Sequence, residues 1–375
     1  RYIYMFTERE VLVQDDSYLT SVLAKAHQGL TLDVDDILYL LHIEDADQLQ
    51  ELYDAACRIR DTYFGNNVYL YGFLYLSTYC QNSCAFCYFS RNNSNCTRYR
   101  KSTDEIIHAA CMLQDSGVHL LDLTMGEDPY FHNRSQGAHA LVQMLEDVRA
   151  ATSLPFMISP GVLPYEVLKD IKTAGVSWYA CYQETYSREL FQRLRCGQSF
   201  SQRLTAKKQA QDLGFLTEEG ILCDVGESYA DLAQSLMEMG RMDFDQLRAM
   251  TFVPQAGTPL ETHRPAQPDL EQKLIAILRI LHPSKLIPAS LDVGGLQGLQ
   301  ERLAAGANVV TSIVPPGCGL SGVANHALDI ENFNRTVERI SSRIDSLGLR
   351  IGTLERYTHW MHKASSKWVQ NNQAQ

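Results

Sequence analysis

An α/β fold, a (β/α)8 barrel of the TIM type behind an N-terminal helical cap, is what this chain of 375 residues predicts. One recurring punctuation mark carries much of the argument. A helix-like stretch ends in Gly and an apolar, strand-like run begins at or just after it. The mark occurs around Gly117 (SGVHLLDLTMG), Gly175 (AGVSWYACYQE), Gly214 (LGFLTEEGILCDVG) and Gly306 (AGANVVTSIVP). Gly tolerates the left-handed backbone that follows a helix C-terminus, so each is a helix stop and a strand start. Four more apolar runs complete the set: Val68–Ser77, LPFMISPG at 154–161, QLRAMTFVPQAG at 246–257 and KLIPASLDVGG at 285–295. Eight strands alternate with helical patterns such as 102–116, 135–151, 201–213 and 268–282, which suits a barrel better than an open doubly wound sheet. Length alone would admit two or three domains, but α/β barrels routinely exceed that prior.

Taken in chain order, residues 17–64 read as helices. Ser17 and Asp33 are N-cap candidates, and Tyr18–His27 and Asp47–Tyr63 carry periodic apolar positions. Residues 1–64 are therefore expected to form a cap over the barrel or over the loop that follows its first strand. The barrel takes residues 65–325, and a C-terminal helical segment packing on it takes 326–365. Residues 366–375 form a polar tail expected to fray. The Pro-containing loops 254–268 and 314–326 each follow a strand, which places them at the barrel top where such folds build their sites.

Composition narrows the class. Hydrophobic residues at 45% are ample for a core, and the net charge of −11 with no basic stripe argues against nucleic acid. No apolar run reaches the roughly 18 residues of a membrane span, and the N-terminus has no signal-like charged and apolar regions. Ten cysteines without a disulfide-like framework fit a reducing compartment, so a cytoplasmic location is expected.

The chemistry is concentrated in STYCQNSCAFCYF, where Cys80, Cys84 and Cys87 form a C-x3-C-x2-C triad directly after the first strand. Structural zinc takes four ligands, usually as two separated pairs. Three close thiolates with no matching fourth ligand point instead to a 4Fe-4S cubane with one iron open to an exogenous ligand. Three unrelated buried cysteines, or zinc with a distant fourth ligand, are the alternatives. The other seven cysteines show no second cluster spacing. Cys318, in the loop PPGCGLSG, is the one with a candidate role, and the histidines make no paired ligand pattern.

A second constellation comes from strand faces, since residues two apart on a strand share a face. Asp122 pairs in this way with Thr124, Arg248 with Met250 and Phe252, and Ser290 with Asp292. Barrel interiors are normally filled with Val, Ile and Leu, and an ionised group there costs several kcal/mol, roughly, unless it is paired. The set suits a bound amino acid: Arg248 for its carboxylate, Ser290 and Asp292 for its α-ammonium, Asp122 for a second ammonium. An internal Arg248–Asp292 salt bridge is the alternative.

The triad, with the aromatic Phe86 just before its last Cys, resembles the radical SAM superfamily. The resemblance implies that the open iron chelates S-adenosyl-L-methionine (SAM) and that an electron from the cluster yields a 5′-deoxyadenosyl radical. TMGEDP at 124–129 resembles the superfamily's Gly-Gly-Glu-type segment, which would set Gly126 and Glu127 against the SAM amino group. Glu184, after the fourth strand, and Arg203, on the next helix, would contact SAM as a carboxylate and guanidinium pair. Phe252 and Val253 are either an adenine wall or ordinary barrel core.

Longer segments narrow this further. FGNNVYLYGFLYLSTYCQNSCAFCYF, RYRKSTDEI, HLLDLTMGEDPY, AMTFVPQAGTPLE, KLIPASLDVGG and GANVVTSIVPP resemble the 3-methylornithine synthase family of pyrrolysine biosynthesis, related to biotin synthase. That resemblance implies isomerisation of L-lysine to (2R,3R)-3-methyl-D-ornithine, with a low-potential electron donor such as flavodoxin or ferredoxin and no membrane partner. A sister enzyme for another amino acid, a biotin-synthase-like enzyme with a second cluster, and a non-catalytic SAM-binding scaffold remain open at this stage.

Overall fold

The structure, a computed structural model, describes residues 16–133, 135–320, 322 and 335–373. Its strands are β1 (Asn67–Ser77), β2 (Leu120–Met125), β3 (Phe156–Ser159), β4 (Trp178–Ala180), β5 (Leu216–Cys223), β6 (Gln246–Thr251), β7 (Pro288–Ser290) and β8 (Val309–Ile313). They pair in parallel in the order β6-β5-β4-β3-β2-β1-β8-β7. All eight expected strands are present and helices fill the intervals, as the TIM-type reading required. The four punctuating glycines have φ of 89°, 95°, 81° and 104° at Gly117, Gly175, Gly214 and Gly306. A short β9 (Arg350–Ile351) adds to the start of β1; two residues are too few for any periodic signal.

Among the described residues, the circle between β6 and β7 is completed by one bridge, Gln246 to Leu286, at the N-terminal end. Above it the ladder gives way to side chains. Thr251 Oγ1 donates to Glu271, which accepts from Arg302 Nε and Nη2 at 2.6 and 2.7 Å. Arg302 Nη1 then donates to Val293 O at 2.9 Å, just beyond β7.

Strand β1 shows how the core is divided. Val68, Leu70, Leu74 and Leu76 face the outer helices, while Tyr69, Tyr71, Phe73 and Tyr75 face inward, and all are buried. Below the barrel, the helix Leu354–Gln373 closes the floor. Tyr357 and Met361 join Tyr69, Trp178 and Leu216 in one apolar cluster, Trp360 stacks on Trp178 at 6.0 Å, and the Tyr357 and Tyr71 hydroxyls lie 2.8 Å apart. The polar residues expected to fray continue this helix as far as Gln373, because its first turns are anchored in the floor. A further helix, Val337–Ser346, precedes it; the boundary expected at residue 325 falls outside the described residues.

The N-terminal helices are Asp16–His27, Val34–His42 and Ala46–Phe64. Asp33 caps the second through a capping box, but the first helix already includes Ser17, which is therefore not a cap. They lie on the flank of the barrel, not over the loop after β1. The reason is in LEQKLIAILRIL: the helix Leu270–Leu281 is apolar almost all round and needs cover on its outer side. Leu52, Ala55 and Ile59 belong to the same core cluster as Leu274 and Ile277. Lys273 Nζ reaches the last carbonyls of the second N-terminal helix, at 2.9 Å to Leu41 O, and goes on to Ile43 O at 2.7 Å.

The strand starts of β7 and β8 are held by one cation. Fully buried Arg279 donates to the carbonyls of Gly306, Pro283 and Lys285 and to Asn308 Oδ1, all within 3.0 Å. Arg279→Met leaves these buried acceptors unmet and is expected to cost at least about 3 kcal/mol in a urea unfolding titration. A loss below about 1 kcal/mol would show that other donors take over.

Candidate active site

At the C-terminal ends of the strands lies a cavity of about 250 Å³, and every residue that the sequence assigned to cluster, SAM or substrate lines it. Cys80, Cys84, Cys87 and Phe86 come from the loop after β1. Asp122, Gly126 and Glu127 come from β2 and its loop, Glu184 and Arg203 from the β4 unit. Arg248, Phe252 and Val253 belong to β6 and its exit, Ser290 and Asp292 to β7 and its exit. Cys318 does not line it; its Sγ lies 3.6 Å from Met112 Sδ, beside an outer helix.

The cysteine loop is built by side chains, since it has little secondary structure of its own. Arg98 donates to the carbonyls of Thr78, Phe89 and Ser90. The loop continues into a polar run, SRNNSNC at residues 90–96, organised by Asn93, whose buried amide donates to Tyr88 O and Ala256 O at 2.9 Å and accepts from Asn95 N. Asp128 clamps the other side: it accepts from Arg100 Nε and Nη2 at 2.7 and 2.8 Å and from Ser77 Oγ at 2.6 Å. Thus in GEDP the first acid faces the cavity and the second pins the loop. Gly126 is required by this loop, because a Cβ there would sit 2.4 Å from Tyr79 O. The same residue lines the cavity.

Two acids and two guanidiniums stand above the polar layer, each acid paired with one guanidinium. Glu184 binds Arg195 at 2.5 Å, and Arg203 binds Glu127 at 3.3 Å while donating Nε and Nη2 to Tyr182 O. Glu184 has a left-handed backbone, φ 68°, a conformation rare for a residue with a side chain and typical of functional sites. Burial raises the Glu184 carboxyl above the usual range despite Arg195, and its buried Oε2 has no hydrogen-bond partner among the described residues. Burial opposes charge on Glu127 as well, but Arg203 and the Val162 N–H outweigh it and hold that carboxyl low.

Deeper in the barrel the Arg248–Asp292 bridge considered above is not formed. Arg248 Nε donates to Glu218 at 2.8 Å and Nη1 to Thr311 Oγ1 at 3.3 Å, while its buried Nη2 has no partner among the described residues. Asp292 stands two residues past the end of β7, not on the strand, and accepts from Arg335 Nη1, Ser290 Oγ and Ser312 Oγ at 2.5, 3.1 and 2.8 Å. Thr124 donates to Asp122 at 2.9 Å. Burial, reinforced by the charge of Glu218, raises the Asp122 carboxyl to about 7. Phe252 also lies just past its strand, in a small apolar cluster with Leu222, Leu194 and Phe86 at the cavity rim and not in the main core.

Sequence reasoning missed Glu218, Arg195, Gln198 and Arg335. Glu218 had a signal, a pair of acids inside an otherwise apolar strand, one facing in and one out. Arg195 and Gln198 follow the fourth strand in RLRCGQSF without periodicity, and Arg335 lies beyond the barrel in sequence.

The cysteines fit an iron–sulfur cubane. All three line the cavity, and burial raises the Cys80 and Cys87 thiols. Cys84 Sγ accepts from Gln198 Nε2 at 3.0 Å and from Arg195 Nη1 at 3.8 Å, donors that suit a thiolate bound to iron. Among the described residues no three His, Cys, Asp or Glu converge on one point as a single ion requires. A cubane takes its thiolates on separate irons and needs them spread around a space.

A titration tests the Asp122 environment. A carboxyl whose pKa is higher folded than unfolded contributes its full stability below 3.8 and loses it as pH rises through about 7. Asp122→Asn should therefore raise the melting temperature of the ligand-free protein at pH 8 by at least about 2 °C, with a smaller gain at pH 5. An equal gain at both pH values would contradict the raised carboxyl.

A model of the Radical SAM superfamily matches residues 74–239. The 3-methylornithine synthase of Methanosarcina acetivorans is 44% identical over 325 residues, 87% of this chain and 92% of that protein. The FeFe hydrogenase maturase subunit HydE of Thermotoga maritima is 30% identical over 273 residues, 72% of this chain and 77% of that one. A crystal structure of methylornithine synthase superposes with a TM-score of 0.86 at 41% identity, covering 90% of this chain and 99% of the other. No helix among the described residues is long and apolar enough to cross a membrane.

Proposed function

This chain belongs to the 3-methylornithine synthase family of the radical SAM superfamily, and on that premise we propose that it is a mutase that converts L-lysine to (2R,3R)-3-methyl-D-ornithine. One observation carries the substrate assignment: the charge of the lower cavity. Asp122, Glu218 and Asp292 set three carboxylates against the guanidiniums of Arg248 and Arg335, a net charge of −1 when all are ionised. A molecule with two ammonium groups and one carboxylate, net +1, neutralises it. Uncompensated charge in a buried space costs several kcal/mol, roughly, so this match favours lysine over a neutral amino acid.

The roles follow from where each charge stands in the chamber. Arg248 Nη2 takes the substrate carboxylate. Asp292 and Ser290, fixed by Arg335 and Ser312, take the α-ammonium, and Asp122 takes the ε-ammonium, whose arrival keeps that carboxyl ionised. Cys80, Cys84 and Cys87 hold a 4Fe-4S cluster; Glu127, Glu184, Arg203 and the Phe86, Phe252 and Val253 surface receive SAM, with Gly126 beside it. When bound, cluster and SAM supply an electron, from a donor such as flavodoxin or ferredoxin, and a carbon radical able to take hydrogen from an unactivated carbon. Moving a carbon branch requires the Cα–Cβ bond to break and a new bond to form, so two fragments must be held together. Arg248 and Asp292 hold the amino-acid half and Asp122 the amine half. Phe73, Tyr75 and Met250 exclude water from between them.

Anaerobic incubation of the reconstituted protein with SAM, a low-potential reductant and uniformly 13C-labelled L-lysine should give a product of lysine mass with a new methyl signal by NMR. Asp292→Ala should lower kcat/KM for lysine at least about 30-fold, the cost of removing one partner of a buried charge pair. Deoxyadenosine release without the branched isomer would reject lysine as the substrate.

A further inference from the structure

Gln198 lies where three networks meet, and its geometry has one reading. It follows the helix Arg188–Leu194 in a turn, its backbone N–H bonded to Arg195 O at 3.0 Å. Its side-chain Oε1 accepts from Arg195 Nη1 at 3.3 Å and from Arg203 Nη1 at 3.1 Å. An oxygen facing two guanidiniums cannot be exchanged for an NH2 group without setting donor against donor. The amide is thereby oriented, and its Nε2 is directed at Cys84 Sγ, 3.0 Å away. Neither Gln81 nor Asn82 competes for this sulfur: Gln81 faces Glu127 and Asn133, and the Asn82 N–H faces Cys80.

We propose that Gln198 is a positioning residue that sets the reduction potential of the iron–sulfur cluster, by donating a guanidinium-oriented N–H bond to the sulfur of Cys84. The inference rests on the reading of Cys80, Cys84 and Cys87 as cluster ligands. A cluster gains negative charge on reduction and part of it resides on the cysteine sulfurs, so a donor aimed at one of them favours the reduced form. Because Arg195 and Arg203 orient the amide, and the same two cations pair with Glu184 and Glu127, the donor is tied to the acids that line the upper cavity.

The experiment is an EPR-monitored redox titration of the reconstituted full chain without SAM, wild type beside Gln198→Met, which keeps the volume and removes the donor. With equal iron content, the variant should show about a tenfold lower ratio of reduced to oxidised cluster at the wild-type midpoint, a shift of about 59 mV to more negative potential. An unchanged midpoint overturns the proposal and leaves the cluster reading intact. A second measurement needs no variant. In wild type labelled with 15N only in glutamine side chains, pulsed EPR of the reduced cluster should show coupling to one 15N, and its absence overturns the proposal. A wild-type protein that forms no reduced-cluster signal at all overturns the cluster reading and this inference with it.

Discussion

Arg248 is buried inside the barrel and remains compatible with folding because the Glu218 carboxylate lies 2.8 Å from its Nε. The rest of the chamber is arranged around that pair. Glu218 neutralises the cation, but its charge also bears on Asp122 and raises that carboxyl, so the same ion pair that permits the arginine leaves a neighbouring acid in want of a cation. The floor beneath has to stay dry for any of these charges to interact strongly. Tyr357, Met361 and Trp360 of the last helix provide that seal, with the Tyr357 hydroxyl meeting Tyr71 so that neither is buried unpaired.

Above this layer the logic is inverted. Glu127 with Arg203 and Glu184 with Arg195 are nearly self-sufficient, and Gln198 accepts from both guanidiniums. A ligand received here meets groups whose charges are already balanced and whose positions are already fixed. A ligand received below meets groups whose charges do not sum to zero, three carboxylates against two guanidiniums. One cavity therefore contains a preformed cradle and an electrostatically incomplete chamber, and the incomplete one discriminates by charge.

Much of this was legible before any coordinates. The glycine punctuation located the strands because a left-handed helix stop is a local property, readable from a few residues. The inward Asp122 and Arg248 were readable because ionised residues on an apolar strand contradict their surroundings. The pairings were not. Glu184 and Arg203 were read as two SAM contacts from one βα unit, and nothing in their spacing announces that Glu184 is bound to Arg195 and Arg203 to Glu127. Arg335, which holds Asp292, enters from beyond the barrel, and nothing local announces a contact across 43 positions. The N-terminal helices were recognised as helices, but their seat on the flank depended on the all-round apolar character of Leu270–Leu281, a partner more than 200 residues away.

The missing ladder between β6 and β7 has a consequence of its own. Everywhere else the barrel wall is held at the spacing of backbone hydrogen bonds, about 4.8 Å from strand to strand, which no side-chain substitution can alter. At this one seam the wall is spanned by Thr251, Glu271 and Arg302, reaching to the carbonyl of Val293 beside Asp292. The width there is a sum of side-chain lengths. Shortening the acid by one methylene, or exchanging the guanidinium for an ammonium, would change the girth of the chamber without disturbing a single strand pair. The seam is thus an adjustable joint in an otherwise inextensible vessel, through which descendants of this fold could resize their substrate.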